Sequence, residues 1–280
     1  MMRPIVCLLA TAGCLLGVTP DERAWQTLQR GLEDGNPAKR ITAVFALSVV
    51  KPQPRPVKMV ESMLQDKDFG VRQAACATLG EIRARTSIPL LRAALEDRAP
   101  EVVFAAAKAL YSMGDATGRD VLTEILLGDQ KGASGFVSSS LRDAKLKLHD
   151  PKALLLVGVN QAAALLGPFG AGVPIAEQLL KDGQASGKTI AALLLVTDSS
   201  VESRDAFRLA LNDRNWTVRV AATRAIALRG IREFYADMAS LLDDKREEVT
   251  YAAAAAMIRL KQPAPARPAA TRPVVKTALQ

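Results

Sequence analysis

One histidine in 280 residues, His149, and three cysteines, Cys7, Cys14 and Cys76, leave little with which to build a metal site or a nucleophilic triad. The chain has no CxxC pair, no His-Glu pair and no G-x-S-x-G elbow. His149 precedes Asp150 at the end of a predicted helix, where a cation simply offsets the helix dipole. Acidic residues are plentiful, yet none stands at an apolar position where a raised pKa would serve acid–base chemistry. Residues 183–189, GQASGKT, imitate a phosphate-binding loop, but Asp182 takes the place of the required glycine and a helix rather than a strand precedes. The expectation is therefore no catalytic residue, no metal ligand and no cofactor.

Aromatic residues are also scarce, at 4% against 49% hydrophobic residues, so the apolar content is mostly Ala, Leu, Val and Ile. Small side chains suit helices whose axes approach closely, whereas thick cores draw much of their bulk from aromatics. The net charge of +8 is partly local, because the tail after Leu260 holds Lys261, Arg267, Arg272 and Lys276 and no acid. In the body, which is only mildly basic, charges alternate in sign as on a solvated helix face, so charge alone argues only weakly for nucleic acid as the partner.

What is present is a repeat. DKDFGVRQAACATLGEI begins at Asp66, DRAPEVVFAAAKALYSM at Asp97, DRNWTVRVAATRAIALR at Asp213 and DKREEVTYAAAAAMIRL at Asp244. Each has Val five residues after Asp, Ala at nine and an apolar residue at thirteen. Asp34 continues the pattern with Arg40 in the place of Arg72 and Arg219, while Asp129 and Asp182 keep the phase of 31 to 32 residues. A short apolar-periodic helix precedes each anchor and a longer Ala-rich helix follows it, with breakers such as Pro37 and Pro100 at the turn. Seven helix–turn–helix units result, spanning 21–260.

Asp66, Val71, Arg72, Ala74, Ala75, Leu79 and Gly80 carry the fullest copy, and this pattern resembles the HEAT repeat, especially its short bacterial form found also in phycobilisome lyase-type proteins. The resemblance implies an all-α solenoid whose second helices line a concave side; a binding role is expected from that architecture and from the missing catalytic chemistry. Seven pairs stacked in chain order, with axes roughly 8–10 Å apart, would make a rod about 60–70 Å long. The turn residues Asp34, Asp66, Asp97, Asp213 and Asp244 are expected to accept bonds from backbone donors at the start of the second helix. Arg40, Arg72 and Arg219 are expected to pair with the Asp of an adjacent unit; Val103 and Thr250 replace this Arg in units three and seven. HEAT-like hydroxylases need His-Glu pairs that this chain lacks, and DNA glycosylases of similar build need a basic concave face.

Position seven after each anchor is Ile41, Gln73, Phe104, Phe136, Thr189, Val220 and Tyr251, a row that the family usually fills with polar residues on the concave face. Phe104, Phe136 and Tyr251, with Lys108 and Arg224 one turn further along their helices, form a candidate partner-binding row, since aromatic anchors flanked by cations suit a peptide groove. Packing against neighbouring units accounts for the same residues equally well. Between Asp129 and Asp182 lie about 22 residues beyond one period, centred on an apolar helix at 151–172; it is either buried at a bend or a partner-docking or membrane-contacting element.

Residues 1–20 have one Arg followed by a mostly apolar run that ends at Asp21-Glu22-Arg23, the layout of a signal peptide. Ala12-Gly13-Cys14 resembles the end of a lipobox, which would acylate Cys14, and an uncleaved anchor or a cytoplasmic chain stays open. Residues 261–280 read as a disordered Pro/Ala-rich basic tail. The chain is thus expected to be a non-catalytic scaffold exported to the bacterial cell envelope, with protein partners and peripheral membrane contact through the N-terminus or the inserted helix. The alternatives are a nucleic-acid-binding or DNA-repair solenoid in the cytoplasm, and a lyase-like or chaperone-like subunit acting on a partner protein.

Overall fold

The computed structural model describes residues 19–127 and 187–262. The N-terminal apolar segment, Phe136, His149, the helix expected at 151–172 and the tail from residue 263 lie outside the described residues.

The described chain is an all-α solenoid, with no strand among the described residues. Helices α1 (Pro20–Leu32) and α2 (Pro37–Ala46) make the first unit, α3 (Pro54–Ser62) and α4 (Phe69–Glu81) the second, and α5 (Ile88–Ala93) and α6 (Pro100–Ser112) the third. Helix α7 (Ala116–Leu127) opens the fourth unit and α8 (Gly187–Leu194) is the second helix of the fifth. Helices α9 (Val201–Ala210) and α10 (Trp216–Arg229) make the sixth unit, α11 (Tyr235–Ser240) and α12 (Glu247–Lys261) the seventh.

Local chemistry sets the helix starts. Thr19, Asn36, Asp68, Ser200 and Asn215 each cap a helix by accepting a bond from a first-turn N–H. Pro20, Pro37, Pro54 and Pro100 occupy first-turn positions, where the missing N–H has no intrahelical role. Helix α10 ends on Gly230 in the left-handed region at φ 70°, which lets its N–H reach back to Ile226 and Ala227.

The stacking order differs from the chain order. The second helices lie side by side as α8, α10, α12, α2, α4, α6, so unit seven is followed in space by unit one. Helix α12 also packs broadly on α1, as α6 packs on α7 within the chain-consecutive part. The rod expected from chain-order stacking is therefore replaced by an array running five, six, seven, one, two, three. Unit one still offers an apolar edge on the side away from unit two, and α12, whose apolar residues wrap nearly the whole helix, covers it.

That position explains the composition of α12. Ala253, Ala254, Ala255, Ala256 and Met257 have no exposed surface, and Tyr251, Ile258 and Leu260 are also buried. Gly31 of α1 makes the approach feasible: a Cβ there would fall 2.8 Å from both Ala43 Cβ and Tyr251 Cε1. Gly80 plays the same part between α4 and α6, where an added Cβ would sit 2.8 Å from Ala109 Cβ. The array also curls tightly. Arg224 of unit six reaches Ser48 of unit one at 2.9 Å and comes within 3.8 Å of Glu81 of unit two.

Candidate functional site

The turn anchors form a ladder. Asp34, Asp66, Asp97, Asp213 and Asp244 each accept a bond from the backbone N–H two residues on, at 2.8–2.9 Å, which fixes the entry to the second helix. Arg40, Arg72 and Arg219 each donate twice to the Asp of the next unit, Asp66, Asp97 and Asp244 respectively, at 2.7–2.8 Å. A third donor of each Arg holds the backbone carbonyl of its own anchor, at 2.8 Å to Asp34 and Asp213 and 2.9 Å to Asp66. Such forked pairs join charge to geometry. The Arg72 guanidinium and the Ala99 N–H hold the Asp97 carboxyl below its usual value against the opposing pull of burial.

Two members of the ladder escaped the repeat pattern. Lys188, inside the GQASGKT segment, stands six residues after Asp182 and donates to Asp213 at 2.8 Å, so the residue that imitates a nucleotide-binding lysine is the fifth unit's rung. Counting six from the degenerate anchor would have found it. Thr250 supplies no rung between units seven and one. There Lys39 bridges Asp34 at 3.4 Å and Glu247 at 2.8 Å.

The candidate partner-binding row divides. Tyr251 is buried in the hydrophobic core against Gly31, and burial raises its phenol pKa. Arg224 is buried too, and burial draws its guanidinium down to about 10, so it remains charged at neutral pH. Neither can meet a partner across the inner face, because the covering of α12 by unit one and the tight curl of unit six enclose them. Phe136 lies outside the described residues. Cys76 is fully buried, its thiol pushed up to about 12, and it is chemically quiet.

Phe104 and Lys108 remain at a surface. Phe104 is half-buried and Lys108 exposed on α6, and Tyr111, seven residues beyond Phe104 on the same helix face, is 59% exposed. Sequence reasoning missed Tyr111 because it followed one position per repeat rather than the face of one helix. Beside it on α4 lie Gln73 and Ala77, both half-buried, and the exposed Glu81. Among the described residues the inner face is thus filled at units six, seven and one, while Lys108 and Tyr111 stay exposed at unit three. It presents two aromatic rings, one cation and one carboxylate. Among the described residues no group of three His, Cys, Asp or Glu could hold a metal ion, and no helix is long and apolar enough to cross a membrane.

Comparison with known proteins agrees with the repeat. The family model of HEAT repeats matches residues 25–101 and, overlapping them, 57–133. No curated protein matches the chain.

Proposed function

We propose that this HEAT-repeat protein is a non-catalytic interaction scaffold, exported to the cell envelope, that holds a protein partner on the inner face of units two and three. HEAT repeats are in general protein-interaction scaffolds. The observation that carries the reading is the exposed pair Lys108 and Tyr111 on α6, beside the half-buried Phe104, since a large, rigid and exposed aromatic beside a cation is the composition of an interface anchor. A nucleic-acid groove would instead need several cations along an open inner face, where Arg224 is buried and Lys108 is a single exposed cation beside the carboxylate of Glu81. Export is supported by the apolar run of residues 1–18, which gives way directly to the first cap at Thr19.

The test combines two variants. Tyr111→Ala with Lys108→Glu should release proteins that cross-link to the wild-type chain in cells, while leaving its helical content unchanged. Retention of the same proteins by this double variant would remove the stripe from the interface. Fractionation with N-terminal sequencing addresses export separately: a full-length chain in the cytoplasm would overturn that part alone.

A further inference from the structure

In an array of helical repeats each unit meets only its neighbours, so curvature builds up from small rotations at successive junctions. One contact in this array breaks that rule. Arg224, on α10 of unit six, donates from Nη1 to the Ser48 hydroxyl at 2.9 Å, and Ser48 belongs to the short 3-10 turn Leu47–Val49 that closes unit one. Its Nη2 comes within 3.8 Å of Glu81 Oε1 at the end of α4, in unit two. Unit seven lies between six and one in the stack, so this single side chain spans three junctions.

Alanine leaves room for the crossing. Arg224 stands eleven residues after the anchor Asp213, and Ala255 stands eleven after Asp244 in unit seven. Ala253, Ala254, Ala255 and Ala256 have no exposed surface, so by register Arg224 passes over a row of methyl groups. The same position is Phe45 in unit one, Ala77 in unit two and Lys108 in unit three. Of the two cations in this row, Lys108 stays exposed and Arg224 is enclosed.

The tie works against a cost. The Arg224 side chain keeps 9% of its surface and that of Glu81 42%. Burial draws the guanidinium pKa down, with Glu81 pulling the other way. Drying a guanidinium is unfavourable, and opening the curl would return that cost. The closed curl is therefore a balance between the contacts to Ser48 and Glu81 and the hydration that Arg224 gives up.

We propose that Arg224 is a strap that holds the array in its tight curl, and that its release lets unit six swing away from units one and two and uncovers the inner side between them. The strap concerns the shape of the array. It rests on neither the α6 pair nor export, and the failure of either reading would leave it standing.

Pulsed electron-spin distance measurement on the full chain tests it, with labels at Lys67→Cys and Arg214→Cys. Both positions are exposed and lie in the turns between first and second helices of units two and six, at the opposite end of the second helices from Ser48 and Glu81. Cys7→Ser and Cys14→Ser leave the buried Cys76 as the one further thiol. With Arg224 in place the labels should report one narrow distance. Arg224→Met removes the charge and the hydrogen bonds while keeping most of the stem, and it should lengthen and broaden that distance at unchanged helical content. Ser48→Ala with Glu81→Gln leaves α10 untouched and should give the same change; this pair carries the test by itself if Arg224→Met does not fold. An unchanged or shortened distance in a folded variant would show that the Ala-rich junctions set the curl unaided, and would overturn the proposal. A change in Arg224→Met with none in the Ser48 and Glu81 pair would also overturn it, because the tie would then not run through these two residues.

Discussion

Between units two and three, Arg72 grips Asp97 with two bonds and its own anchor's carbonyl with a third; between units seven and one, the same position is Thr250 and the charge contacts move to the rims. There Lys39 pairs with Glu247, Arg23 with Asp243 and Lys261 with Asp21, all at the exposed ends of the helices. The apolar parts of the two junctions are alike: alanines face alanines and a glycine admits the neighbouring helix in each. Stacking therefore follows from the Ala-rich faces, whereas the ladder marks units that are consecutive in the chain. A junction without a linker relies on packing and on screened charge pairs. This difference can be tested at three depths.

The apolar part should respond most. Gly31→Val places its Cβ against Ala43 and the Tyr251 ring, and Gly80→Val does the same against Ala109 and its backbone. Overpacking of this kind costs about 3 kcal/mol. Both variants should lower the urea midpoint by similar amounts. A neutral Gly31→Val beside a destabilised Gly80→Val would mean that unit seven does not pack on unit one in solution.

The ladder comes next. Arg72→Met removes the forked guanidinium and leaves Asp97 with the Ala99 N–H and the more distant charge of Arg98. Arg72 and Asp97 keep 18% and 13% of their side-chain surface, so the loss should be about 2 kcal/mol, below that of a fully buried pair. The native Asp97 and Asp213 carboxyls are held below the usual value, chiefly by Arg72 and Lys188. As pH falls through about 4 the unfolded chain takes up protons before the native one does, and this stabilisation is lost. The gap between wild type and Arg72→Met should therefore be full at neutral pH and shrink below pH 4 or so. A gap independent of pH would assign the loss to packing of the Arg stem instead.

The repeat unit and its ladder were legible in the sequence because each rests on contacts within one period: Asp to the N–H two residues on, and Arg to the Asp of the following unit. The order of the stack was not. No local pattern distinguishes an alanine face that meets the next unit from one that meets the first, and only Thr250, where Arg belongs, marked unit seven as different. The partner row failed at Tyr251 and Arg224 for the same reason, since the residues that bury them come from units 200 or so positions away in the chain. Lys108 kept its surface because, among the described residues, the reach of Arg224 stops at Ser48 and Glu81, short of unit three.

The rim pairs should give the smallest effect and the most local one. Raising salt from about 0.1 M to 1 M shortens the Debye length from ~10 Å to ~3 Å, which weakens exposed pairs far more than enclosed ones. Arg23, Asp243, Lys39, Glu247 and Lys261 are all more than a third exposed, whereas the Arg40–Asp66 and Arg219–Asp244 forks are nearly enclosed. Hydrogen exchange should thus quicken with salt in α1 relative to α4, by a few-fold, with little change in the global midpoint. Lys39→Met should reproduce part of that quickening at low salt and blunt the further response, because Lys39 alone spans Asp34 and Glu247 across the junction. Salt acting on α1 and α4 alike would mean that charge contributes equally at both junctions, and the distinction between a laddered and an unladdered contact would then lie in packing alone.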